Sequence, residues 1–336
     1  MTNLPKRPPF ILVLLALLSL ALGVLITPEL LIELGPFRIS LTSDNPLTSR
    51  TARIEIAVLR GLCIFAGVFL LALTIWWHRF VETTLIKIIA EHPGSRHRDS
   101  ARSPIRNRSL YVTLVAWLTG MAYVGVGGFV LPEAVTAAIG ANEGLLEQAT
   151  AVLFLICSVI FGLAAWYYRG DRQTRLFLAI FAFIFLVFVG EETSWGQWIW
   201  GFETLDMFKG VNVQDENNLH NLLGYAADHI FIAGVFFYGV VLPVLRAYHP
   251  FWDSLFAMIG LPIASLGLAL GFLPISLTHI WTVGVFFDNT VGLRMAELRE
   301  FLTSIAFLML ACESWTMTSR SRAKTPVRDT SLGPMV

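Results

Sequence analysis

Charge is the first thing this chain lacks. Only 14% of its 336 residues are Asp, Glu, Lys or Arg, where a soluble globular chain carries about 25%. The shortfall excludes a disordered chain, which needs charge and low hydropathy to stay solvated, and an ordinary water-soluble enzyme. Cysteine is scarce too. Cys63, Cys157 and Cys312 sit in separate apolar stretches with no CxxC pair, so neither a disulfide framework nor a thiolate zinc site is indicated. Internal repeats, a second soluble domain and a collagen-like glycine period are all missing. Ser194 has no Gly-x-Ser-x-Gly frame around it, which removes the serine-hydrolase reading.

What is present is apolar: 55% of the residues, with 25 Phe and 10 Trp and a mean hydropathy of +0.67. That composition predicts an all-α polytopic transmembrane bundle. A hydrocarbon core about 30 Å thick takes roughly 20 residues of helix. Eight runs qualify: Phe10–Ile26, Ile56–Trp77, Leu110–Leu131, Ala149–Tyr168, Leu176–Trp198, Leu222–Leu245, Phe256–Leu277 and Glu300–Met317. The transmembrane domain is expected to cover residues 1–318. The first run follows Lys6-Arg7 as a signal peptide would, but it stays apolar too long for one and reads as a retained anchor.

Orientation follows from the connections, because Lys and Arg collect on the cytoplasmic side. Alternating the eight runs puts 17 of the 24 basic residues on one face and 17 of the 24 acidic residues on the other. Both termini fall on the basic, cytoplasmic face. The loop 79–109, rich in Arg, Ser, His and Pro, reads as solvated and close to anionic headgroups rather than as a nucleic-acid site. The tail 319–336 reads as a disordered basic extension.

The densest polar segment lies at the far face. It starts as Gly190-Glu191-Glu192-Thr193-Ser194-Trp195-Gly196-Gln197-Trp198 and resumes as Asn212-Val213-Gln214-Asp215-Glu216-Asn217-Asn218-Leu219-His220-Asn221. An ionisable group at membrane depth costs roughly 3 kcal/mol and marks a bundle interior or a watery cavity. Helical spacing puts Glu191, Trp195 and Trp198 on one face and lines up Asn217, Asn221, Gly224 and Asp228 on the sixth span. His229 with Asp228 reads as a buried interhelical pair. His279, Asp288, Asn289, Arg294, Glu297, Glu300 and Arg60 fall at similar depth.

At these residues the chain resembles a group of bacterial multi-pass membrane proteins with the approximate signature EExSWGQ followed by NxQxExNLHN. The likeness covers residues 190–223. It implies a shared site and names no reaction. In that pattern the position after Gln197 is basic, whereas here it is Trp198. A second segment, Pro36-Phe37-Arg38-Ile39-Ser40-Leu41-Thr42-Ser43, is similar to one in bacterial membrane proteins built like lipid-linked sugar transferases. Those carry an acid in the first outer loop, where Glu29, Glu33 and Asp44 are available here.

Each signal has a plainer alternative. The Glu pair would also serve as an interfacial helix end, the tryptophans as an aromatic belt, His220 as a donor to a loop carbonyl, and Arg294, Glu297 and Glu300 as an ion-pair stripe. Two functional expectations follow. In the first, the protein is an enzyme of the bacterial inner membrane with an outward-facing site for a lipid or lipid-linked head group. Glu191, Glu192 and His220 would be its catalytic residues, acting by acid–base chemistry or through a divalent metal such as zinc held by His220, Glu192 and His279. Gln197, Asn217, Asn221, Arg60 and Arg294 would bind substrate. In the second, the polar cluster is structural or ion-binding in a non-catalytic subunit or transporter. The topology is open to test: cysteines placed in the loop 79–109 and in the tail should resist a membrane-impermeant thiol reagent in intact cells and react after lysis. Labelling of either in intact cells would reverse the orientation.

Overall fold

The computed structural model describes residues 10–34, 41–42, 44, 46–76, 104–140, 144–206, 208–209, 216–219, 225–248, 250–278 and 295–323. All regular structure among them is helical. In chain order the helices are α1 (Phe10–Leu25), α2 (Pro28–Leu34), α3 (Pro46–Ile75), α4 (Pro104–Val130), α5 (Glu133–Gly140), α6 (Leu145–Tyr167), α7 (Arg172–Glu192), a 3-10 turn (Ser194–Gly196), α8 (Gln197–Trp200), α9 (Tyr225–Phe236), a π turn (Phe237–Val241), α10 (Leu242–Tyr248), α11 (Pro250–Ile259), α12 (Leu266–Ser276) and α13 (Met295–Ala323). Five helical stretches, built on α3, α4, α6, α7 and the run from α9 through α10, are long and apolar enough to cross a membrane. The loop 79–109 lies outside the described residues as far as 103 and the tail from 324 on, while residues 319–323, expected in the tail, continue α13.

The chain divides into two compact units, one from residues 1–93 and 199–234, the other from 94–198 and 235–336. In the first unit α1 packs antiparallel on α3, with Gly23 and Gly67 at the points of closest approach. Arg60 Nε donates to the Gly23 carbonyl at 3.2 Å. That carbonyl belongs to the last turn of α1, which leaves its oxygens without helical partners and favours a cation. Thr27 then caps α2, accepting from the Leu30 N–H at 3.2 Å, with Pro28 in the first helical position that suits it.

The second unit is built around the hairpin of α6 and α7. Asp171 starts α7 by accepting the Thr174 N–H at 2.7 Å, and the Tyr168 hydroxyl donates to its other oxygen at 3.1 Å. Helix α13 runs beside α6 in the same direction, with Trp315 meeting Tyr167 edge-on at 6.0 Å between ring centres. Phe154, Phe161, Phe181, Phe185, Phe272 and Phe307 interlock in the middle of the unit, Phe185 and Phe307 standing 5.1 Å apart. Such pairs contribute about 1 kcal/mol each beyond their buried area. Helix α12 comes closest to α4 at Gly271, where any side chain would strike Thr113.

Two departures from the expected spans have local causes. The run from Tyr225 to Tyr248 widens into a π turn immediately before Pro243. A proline ring would collide with the carbonyl four residues back, and the wider turn relieves that contact. The predicted span Phe256–Leu277 is not one helix but two, α11 and α12, with residues 260–265 unwound between them. Gly260 takes φ +74 there, with the Thr174 backbone pressed against it, and Pro262 supplies no N–H. The cap at Asp171 predicts a pH effect. Burial pushes its carboxyl up, but the Thr174 N–H and hydroxyl and the Tyr168 hydroxyl outweigh that and hold it below the usual range. Its contribution is therefore complete above about pH 4 and disappears as pH falls through the folded value. Asp171→Ala should cost about 1 kcal/mol at neutral pH, read as a lower unfolding midpoint in detergent, and the difference from the parent should shrink in acid.

Candidate functional site

Helix α7 ends in a backbone that L-residues rarely adopt. After Glu192 the chain passes through Thr193 into Ser194 (φ 45), Trp195 (φ 55) and Gly196 (φ 88), all left-handed. Non-glycine residues in this region cost on the order of 1 kcal/mol or more and persist only where contacts hold them. Here the contacts are visible. The Thr193 hydroxyl and N–H both donate to the Val189 carbonyl, at 2.8 and 3.0 Å, and the Gly196 N–H donates to the Thr193 carbonyl at 2.8 Å. The turn folds Trp195 back over α7, where its indole N–H donates to Glu191 Oε1 at 2.8 Å. Gly190 leaves room for the ring, since a Cβ there would lie 2.9 Å from it. Trp195 and Glu191 thus meet through a reversed turn, not along the continuing helix that their spacing of four implies.

Glu192 sits beside this clamp, half-buried. Four further carboxylates act on it electrostatically, Glu300 most strongly, then Glu147, Glu297 and Glu191. They come from the first turn of α6, the last turn of α7 and the start of α13. The antiparallel hairpin and the parallel course of α13 bring those three ends to one end of the unit. Glu147 and Glu297 enjoy the positive end of their helix dipoles, whereas Glu191 and Glu192 face the negative end of theirs, and the Trp195 indole N–H is one donor that Glu191 accepts there. Arg299, between Glu297 and Glu300 in sequence, is 2% exposed and its Nη1 donates to the Thr278 carbonyl at 3.4 Å. The Thr278 hydroxyl in turn accepts from Trp117 Nε1 at 3.0 Å.

The other expected site residues scatter. His220, Asn221, His279, Asp288, Asn289 and Arg294 lie outside the described residues. Asn217 and Arg60 belong to the first unit, and Glu191, Glu192 and Gln197 to the second. Asn217 is not on the sixth helix but in an irregular segment ahead of it. It is 5% exposed and staples its own loop, accepting the Leu205 N–H at 2.8 Å and donating to the Glu203 carbonyl at 3.4 Å. Arg60 caps α1 as described. His229 is exposed rather than buried with Asp228. In the first turn of α2, the Glu29 carboxyl is held below the usual range by its own backbone N–H and the Thr27 hydroxyl, with a smaller effect from Arg53 and Arg60. Among the described residues no three His, Cys, Asp or Glu side chains form a group able to hold a metal ion.

A second polar centre surrounds the unwound segment 260–265. Glu313, on α13, accepts the Ser265 N–H at 2.9 Å and its hydroxyl at 2.7 Å, and it is hydrogen-bonded to Ser109 as well. Arg246 donates to the Ile263 carbonyl at 3.1 Å and pairs with Asp253 at 3.4 Å, while the Tyr238 hydroxyl donates to the Pro262 carbonyl. Sequence reasoning missed this centre together with Glu147 and Arg299. The signal for Glu313 was an acid inside an apolar run, which at membrane depth needs a named partner.

No family model matches the chain, and no curated protein or solved structure does either. The clamp makes a specific prediction. Gly190→Ala should push Trp195 off its seat and lower stability by about 1–3 kcal/mol through overpacking. Trp195→Phe, which loses the indole N–H and the fused ring seated on Gly190, should cost about 1–3 kcal/mol. Unfolding midpoints of the two variants in detergent equal to that of the parent would show that the turn holds without the clamp.

Proposed function

We propose that this is a bacterial inner-membrane protein of about eight spans with both termini in the cytoplasm, and that the carboxylate-rich end of its second unit is an outward-facing catalytic site. The substrate class is a lipid or lipid-linked head group, and the reaction is hydrolysis or group transfer by acid–base chemistry. One observation carries this reading: five carboxylates from three helices gather at one end of a bundle beside a strained backbone turn. Carboxylates crowded together share protons rather than all ionising, which is what general acid–base catalysis requires. Strain of the kind found at Ser194 and Trp195 concentrates at functional sites. Glu192 is assigned the proton transfer, Glu191 a positioning role through Trp195, and Gln197 contact with the head group. The charge asymmetry of the connections supports the outward direction, and an outward site leaves ATP and other cytosolic donors out of reach.

Transport is the second reading, favoured by the unwound segment 260–265 and the polar side chains that hold it. Broken helices with satisfied backbone at membrane depth are a feature of transporter binding sites. One experiment separates the two. In a deletion strain whose lipid profile has been measured, the parent gene should restore the profile, and Glu192→Gln at equal expression should fall short by about a hundredfold or more in the rate of the restored reaction. Full restoration by Glu192→Gln would overturn the catalytic reading. An unaltered lipid profile in the deletion strain, with Glu313→Gln abolishing whatever phenotype remains, would move the assignment to transport.

A further inference from the structure

The outer face of the α6–α7 hairpin carries a groove of about 490 Å³ between Gly162, Ala165 and Trp166 on one helix and Arg175, Ala179 and Ala182 on the other. We propose that it binds one anionic phospholipid, an acyl chain lying between the helices and the phosphate resting on Arg175.

The surroundings identify the occupant. Val159, Leu163, Leu176 and Phe183, on the same two helices, are exposed, so this face of the hairpin looks into lipid if the helices span a membrane. The four small residues Gly162, Ala165, Ala179 and Ala182 form a depression between those larger side chains. Its volume is in the range of small-molecule sites, about 300–1,000 Å³. In hydrocarbon only an acyl chain is at hand to fill it. Trp166, 82% exposed, closes the groove at the hairpin end, where amphipathic rings settle at headgroup level.

The charge at that end selects the headgroup. The turn holds Arg169, Arg172 and Arg175, all exposed, and one carboxylate, Asp171. Asp171 is committed to the Thr174 N–H and the Tyr168 hydroxyl. Arg172 and Arg175 stand in the first turn of α7, at the positive end of its dipole, where cations are disfavoured and anions are stabilised. A phosphate reverses that penalty, and guanidinium groups bind it bidentately. Each basic residue near an anionic surface contributes about 1 kcal/mol, or roughly fivefold in affinity. The groove and the arginines are separate observations, and they meet at Arg175.

The test uses the full chain, purified in detergent, stripped of lipid and titrated with phosphatidylglycerol or phosphatidylcholine of identical chains by native mass spectrometry. Phosphatidylglycerol should bind at least fivefold more tightly. Arg175→Gln should lower its affinity about fivefold while leaving phosphatidylcholine unchanged, Arg175→Lys should retain most of it, and Ala182→Leu should weaken both lipids by filling the groove. Chainless glycerol phosphate should fail to compete. Equal affinity of the parent for the two lipids, no effect of Arg175→Gln, or competition by glycerol phosphate as strong as by the lipid would each overturn the proposal.

Discussion

The second unit depends on keeping one helix away from lipid. Helix α13 is 29 residues long yet is not among the helices apolar enough to cross a membrane alone. It buries Arg299, Thr303, Ser304, Ser314 and Thr318. In hydrocarbon the Arg299 guanidinium would be left without water and would cost several kcal/mol. Packed against α6, α4 and α12, it finds a protein partner instead, while the hydroxyls bond within α13 itself. The Ser304 and Thr318 hydroxyls return to carbonyls one turn back at 2.7 and 3.1 Å, Arg299 reaches Thr278, and Glu313 takes the N–H and hydroxyl of Ser265.

Those needs explain the layout around α13. Satisfying Glu313 requires a free backbone N–H, and the unwound segment before α12 supplies one, because a helix start has donors to spare. Satisfying Arg299 requires a free carbonyl, and the end of α12 supplies that at Thr278. A single intact helix from Phe256 to Leu277 would tie up the Ser265 N–H in its own turn and leave Glu313 without it. Between the two polar ends, Phe185, Phe307 and their neighbours form an aromatic middle, and the Tyr238 ring that packs on Phe307 sends its hydroxyl to the Pro262 carbonyl. The carboxylates and the strained turn of the proposed site are found at one end.

Much of the helical plan was legible in the sequence, since an apolar run of some 20 residues has few other solutions. Glu191 and Trp195 do meet, but a spacing of four was not the reason, because Trp195 lies in left-handed chain past the end of α7. What was not legible is instructive. Asn217 shares helical spacing with Asn221 and Asp228, but Asn217 lies in irregular chain, where spacing carries no facing information. Gly260 and Pro262 are breaker residues inside the seventh run, a signal that apolar length alone does not register. Arg299 stands between two glutamates and was missed, since only Arg294, Glu297 and Glu300 read as a stripe. Its burial depends on α4 and α12, which are distant in sequence.

Sequence alone determined the class of structure, because hydropathy and helix length are properties of contiguous residues and the hydrocarbon core sets a fixed length to match. It also determined the unequal division of charge between the connections. Tertiary structure alone decided which acids act on one another. Glu147, Glu192 and Glu300 are far apart along the chain, and only the antiparallel turn at Asp171 and the parallel course of α13 bring their helix ends together. Electrostatic interaction falls with distance through space and is blind to separation along the chain, so no spacing rule could have named that group.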